Sequence, residues 1–145
     1  MTKNYVLDEQ PAQDQLDLLL DFYDIEIADF SDFKSPDARV QEAMRSAAKR
    51  LLRYIRRGYI EITTENGLTI TQRLKFPKGE TTELHYQIMT GKAKIQMKRA
   101  DEDDFYGKIY CLVGSLTNLP EGSISSLIGV DSSVVECLGA IFLTA

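Results

Sequence analysis

Apolar residues recur at three- and four-residue steps over 36–57, at two-residue steps over 59–88, and at three- and four-residue steps again near the end of the chain. In the first window Val40, Ala43, Met44, Ala47, Leu51, Tyr54 and Ile55 fall on one face of a helix, the stripe a core-facing helix needs. Ser35 followed by Pro36 reads as an N-cap with proline at the first helical position, and Gly58 supplies a left-handed stop. A helix over 36–57 is expected.

The alternation after Gly58 puts Tyr59, Glu61 and Thr63 on one strand face and Ile60, Ile62 and Thr64 on the other. Asn66-Gly67 tolerates the positive backbone angles of a hairpin turn, so 59–64 should pair with 68–75. A third strand over about 82–88 follows Lys78-Gly79. Residues 92–98 alternate like a strand yet could begin a helix. A helix capped by Thr90, with Ile95 and Met97 turned inward, is preferred. Phe105, Ile109, Leu112, Val113 and Leu116 then mark a helix over 103–116 whose acids lie in its first turn. Leu119-Pro120 opens a short helix ending near Gly129, and Asp131 is expected to cap a last one carrying Val134, Val135, Leu138, Ile141 and Phe142. The fold class is α+β: N-terminal helices, a three-stranded antiparallel meander, and a C-terminal cluster of three to four short helices.

The first 34 residues interleave acids with large apolar groups, and one short helix over about 13–23 is expected. The apolar residues cover too much of the helix circumference for a freely solvated peptide, so the segment either docks on its own domain or stays a sticky tail. Length fits one domain with a proper core, with 1–57 and 58–145 as two segments of one unit. The net charge of −5 hides three blocks: 10 acids and 2 bases over 1–37, 5 and 14 over 38–100, and 7 and 1 over 101–145. Opposite blocks attract, within one chain or between copies, so a homo-oligomer is one expectation. The alternative is that each block is simply a solvated face.

Candidate chemistry is sparse. His85 sits in an expected strand with no second His or Cys at ligand spacing, the run Asp101–Asp104 lacks the alternating oxygens and glycine of a calcium loop, and the glycines are scattered. No catalytic, cofactor-binding or metal-binding residues are expected, and the chain should not be an enzyme. Cys111 and Cys137 lie in apolar helical patterns, which predicts reduced cytosolic thiols. No apolar run approaches the roughly 20 residues of a membrane span, and the N-terminus lacks a signal-peptide pattern, so a cytoplasmic protein is expected. Seven cations between Arg39 and Arg57 raise nucleic-acid binding. Flanking acidic blocks and the absence of an arginine–aromatic ladder weigh against it.

Thr82, Glu83, Leu84, His85, Tyr86 and Gln87 close the expected meander and precede Thr90 and Gly91. Leu116, Thr117, Asn118 and Leu119 are followed by Leu127, Asp131, Phe142 and Leu143. In these runs the second half resembles the tail assembly chaperones of Mu-like and related contractile-tailed phages, which end a short meander in T-E-L-x-h-R, start a helix with P-T-x-G-D-L and keep the later residues in the same order. Lys92 stands in place of the family's acid. The resemblance covers roughly 58–145 and leaves the first 57 residues outside it. It implies a chaperone that coats the long helical tape measure protein and recruits tail tube subunits in the cytoplasm of the bacterial host. A structural tail or baseplate component retained in the virion is the alternative, and a nucleic-acid-binding regulator a third. Candidate partner contacts are Leu19, Phe22 and Phe30 in the acidic segment, Arg53, Arg56 and Arg57 on the basic helix, and Leu138 and Phe142 on the last helix.

Overall fold

The computed structural model describes residues 5–65 and 67–145. Residues 1–4, part of the N-terminus expected to lack a signal-peptide pattern, and Asn66 of the expected hairpin turn lie outside the described residues. The α+β expectation holds: seven α-helices accompany a three-stranded antiparallel sheet among the described residues. In chain order these are α1 (Glu9–Phe22), α2 (Ala28–Ser31), α3 (Ala38–Arg56), β1 (Ile60–Thr63), β2 (Thr69–Lys78), β3 (Thr81–Tyr86), α4 (Gly91–Gln96), α5 (Phe105–Thr117), α6 (Glu121–Ser125) and α7 (Val130–Thr144). A 3-10 turn, Met97–Arg99, follows α4.

The two longest helices bury themselves differently. On α3 a single stripe of Met44, Ala47, Ala48, Leu51, Tyr54 and Ile55 faces inward, while its cations lie on the other faces. On α7 nine of 15 residues are buried, so it runs through the middle of the molecule, as a helix that is apolar on most sides must. The most extensive helix–helix contact joins these two, followed by α5 with α7. Gly139 makes the second crossing possible, because a Cβ there would overlap the branched side chain of Ile109.

The sheet is the expected meander, ordered β1-β2-β3, with Ile62 opposite Ile70 and Gln72 opposite Leu84. Ile60, Ile62, Ile70, Leu74, Leu84 and Tyr86 point into the core. The opposite face is polar and carries the ion pairs of Arg73 with Glu61 and Glu83 at 3.9 Å. The outer edge of β1 is covered by α1, where Gln15 Oε1 accepts the N–H of Ile62 at 2.9 Å. That removes a donor from an otherwise open strand edge.

Several local expectations are corrected. Helix α3 begins two residues late: Asp37 is its N-cap, accepting from the N–H of Arg39 at 2.9 Å, while Ser35 Oγ accepts from the N–H of Asp37 and forms the turn before it. Its end is as expected, at a Gly58 with φ of 78°. Ile95 does not turn inward but is 61% exposed, because α4 is a short helix that buries only Ala93. Asp104 caps α5 through the N–H of Gly107 at 2.9 Å.

Asp131 does not cap α7. Gly129, with φ of 59°, is the N-cap, and Asp131 is the second residue of the helix, in its first turn and 1% exposed. Its carboxylate accepts the N–H groups of Lys75 at 2.8 Å and Phe76 at 2.9 Å. The reason lies in the sheet, since pairing of β2 with β3 breaks register between Arg73 and Lys78. Backbone donors left over by that irregularity need acceptors, and a buried carboxylate is a strong one. The Asp131 carbonyl in turn accepts from Gln72 Nε2 at 3.0 Å, and the Tyr86 hydroxyl donates to Gln72 Oε1 at 2.7 Å.

Candidate functional site

The eight candidate contact residues divide into two groups. Leu19 and Leu138 are fully buried, and Phe30 and Phe142 are each 1% exposed. All four belong to one hydrophobic cluster that draws on both segments of the chain, and Phe142 packs its ring against Tyr23 and Tyr86. They are therefore corrected from surface contacts to core residues. Phe22 is 46% exposed, on the outer side of α1. Arg53, Arg56 and Arg57 come together at the C-terminal end of α3.

Residues 5–7 lie against the end of α3 at Arg56. The N–H groups of Val6 and Leu7 donate to the Arg56 carbonyl at 2.7 and 3.1 Å, and Arg56 Nε donates to the Leu7 carbonyl at 3.4 Å. The Arg56 guanidinium lies 3.9 Å from the centre of the Tyr5 ring, where the ring's negative face attracts a cation. Lys49, Arg50, Arg53 and Arg56, with Tyr5 and Leu52, line an open cleft of about 310 Å³. The Nε atoms of Arg53 and Arg57 are buried without a hydrogen-bond partner among the described residues.

A larger feature lies at the other end of α3. Its N-terminal turn, the loop before it, the start of α5 and the last turn of α7 enclose a groove of about 590 Å³. Phe33, Val40, Met44, Phe105 and Leu143 form an apolar floor, and Asp37, Glu102, Asp103 and Lys108 stand at the rim. Past Glu102, Lys108 and Leu143 it continues into a second depression of about 600 Å³, where Met97 adds to the floor and Lys94, Lys98 and Asp101 to the rim.

Local chemistry fixes both walls. Arg45 Nε donates to the Phe33 carbonyl at 2.9 Å and the Ser35 N–H donates to Gln41 Oε1 at 3.2 Å, which ties the entering loop back onto α3. The Asp104 cap sets Phe105 at the groove with the acidic run beside it. Lys94 Nζ donates to the Ala145 carbonyl at 3.1 Å, joining α4 to the end of α7, where a helix dipole favours a cation.

The interior polar groups are used in packing. Gln72 and Asp131 are sealed from solvent, and burial drives the Tyr86 hydroxyl far above its ordinary range, so it stays a neutral donor. Burial, reinforced by a 2.7 Å hydrogen bond to Glu136, likewise raises Tyr110. The Cys137 thiol is pushed up to about 11 by burial. His85 is exposed and faces Glu83 at 3.4 Å. Among the described residues no three His, Cys, Asp or Glu side chains are placed to hold a metal ion, and no helix is long and apolar enough to cross a membrane.

What the sequence missed is the groove. Val40, Met44 and Phe105 were legible as apolar helix positions, but no period states that the start of α3 faces the start of α5. Tyr5 was missed for a similar reason, since a lone aromatic before a helix carries no partner in its spacing. Comparison with known proteins leaves the surfaces to be argued from their own chemistry: no family model matches the chain, and no curated protein or solved structure is significantly similar to it.

Proposed function

We propose that this chain acts by binding rather than by catalysis, as a phage tail assembly chaperone in the cytoplasm of the bacterial host. Its client is the tape measure protein, to which it recruits tail tube subunits. The observation that carries the reading is the open groove between α3, α5 and α7, with its apolar floor and rim of both signs. An amphipathic helix laid along such a groove buries its apolar stripe and keeps its flanks solvated. Mixed rim charges and open walls suit many modest, replaceable contacts, which a holdase needs so that tube subunits can displace it. The identity of the client rests on the tail-chaperone resemblance over about 58–145.

Co-expression with a phage tape measure protein tests the reading. A soluble complex that loses this chain when tube subunits are added is the expected result. Separate elution of chain and tape measure, with the tape measure aggregating as it does alone, would sink it. Recovery of the chain from purified virions would replace it with a structural tail or baseplate role.

A further inference from the structure

Among the described residues no direct ion pair links an acidic block to the basic one: the ion pairs are confined to the sheet, and none joins α1 or α2 to α3. Asp14, Asp17 and Asp21 are exposed on α1, with the partly exposed Leu18 among them. Lys49, Arg53 and Arg56 line the cleft on α3, with the half-buried Leu52 among them.

The two sets have matching spacing. Reading α1 forwards, the acids step by three and then four residues; reading α3 backwards, the cations step by three and then four. Each set spans seven residue steps, about 10 Å at 1.5 Å per residue. If the two helices lie antiparallel, Asp14 meets Arg56, Asp17 meets Arg53 and Asp21 meets Lys49. The same register places Leu18 on Leu52, so an apolar contact falls inside the charged ones.

We propose that copies of this chain associate head to tail, the acidic stripe of α1 in one copy seating in the basic cleft of α3 in the next. Within one chain the register is unavailable, because α1 already packs its opposite face, Ala12, Leu16, Leu19 and Leu20, against the core. The cleft fits this occupant better than a nucleic acid: its cations extend along one helix only, whereas a polyanion strand is tracked by a longer basic path. An acidic side chain arriving there would also stand beside Arg53, whose Nε has no hydrogen-bond partner among the described residues. The interface uses different surfaces on its two sides, so each contact leaves one stripe and one cleft available, and association continues as a ring or an open chain. All of these residues lie outside the stretch that resembles tail chaperones, and the inference holds whatever the client is.

Sedimentation velocity on the purified full chain tests it. The wild type should form concentration-dependent oligomers whose apparent affinity falls roughly tenfold or more between low and high salt, as screening shortens the reach of the charges. The pairs Lys49→Glu with Arg53→Glu, and Asp21→Lys with Asp17→Lys, should each be monomeric alone and associate when mixed. Arg56 is left in place because it also holds the Leu7 carbonyl. Circular dichroism confirms folding, and the exposed single change Lys49→Glu, expected to weaken association severalfold, serves if a double variant does not fold. A wild type that stays monomeric in low salt, or reversed pairs that do not rescue each other, overturns the proposal. So does a fluorescent oligonucleotide that binds the wild type but not the Lys49→Glu, Arg53→Glu variant while no oligomer forms, which would assign the cleft to nucleic acid.

Discussion

Asp131 shows how much one buried carboxylate can organise. It accepts two strand N–H groups at the place where β2 and β3 lose register, and its own carbonyl anchors Gln72. Asp131→Ala removes both acceptors from a site sealed from water, and should destabilise the fold by about 2–4 kcal/mol in urea denaturation. Asp131→Asn keeps one amide oxygen and should fall between. A loss under about 1 kcal/mol for the alanine variant would mean that water replaces the carboxylate.

Cys137 gives a pH-dependent prediction. Burial raises its thiol from the usual 9.0 to about 11, although Arg50 and Arg53 pull the other way. Because the folded value is the higher one, its contribution to stability is complete below about pH 9 and is lost as pH rises towards 11. The melting temperature should therefore fall over that window, and less steeply in Cys137→Ala. At pH 8 the native thiol should react with a disulfide reagent at least tenfold more slowly than in urea, because the thiolate is scarce and enclosed.

At the scale of elements, α1 is a docked helix rather than a tail. Ala12, Leu16, Leu19 and Leu20 repeat at three- and four-residue steps and face β1 and α3. Leu19→Ala should thus cost about 2–5 kcal/mol through lost burial and a residual cavity. Phe22→Ala, on the exposed side, should change stability by less than about 1 kcal/mol. Equal losses for both in thermal and urea melts would show that α1 does not sit as described. The start of α3 shows what a local signal leaves open: Ser35-Pro36 and Asp37 both suit a helix start, and the loop's tie to Arg45 and Gln41 selects Asp37. Periodicity supplied the helix, while a contact several residues away chose its first turn.

At the scale of the whole molecule, the groove is assembled from parts far apart in sequence. Val40→Glu together with Leu143→Lys should weaken binding of the proposed client at least tenfold in a titration while leaving the melting temperature nearly unchanged. Each new charge suits its helix end, the acid near the start of α3 and the base near the end of α7. Unaltered affinity in a folded double variant would remove the groove from the binding reaction. A fall in melting temperature comparable to that of Leu19→Ala would show instead that the floor belongs to the core.

The chain's own order of residues determined the α+β class, the meander, the stripe of α3 and the charge blocks, because periodicity, turn chemistry and charge are properties of neighbours in sequence. Tertiary structure alone decided that Leu19, Phe30, Leu138 and Phe142 pack inward, that Asp131 serves a strand instead of its own helix, and that the ends of α3, α5 and α7 enclose a groove. A helical period says which residues share a face, but not whether that face meets water, a partner or the rest of the same chain. That choice follows from which buried surfaces and leftover hydrogen-bond donors the folded whole has to satisfy.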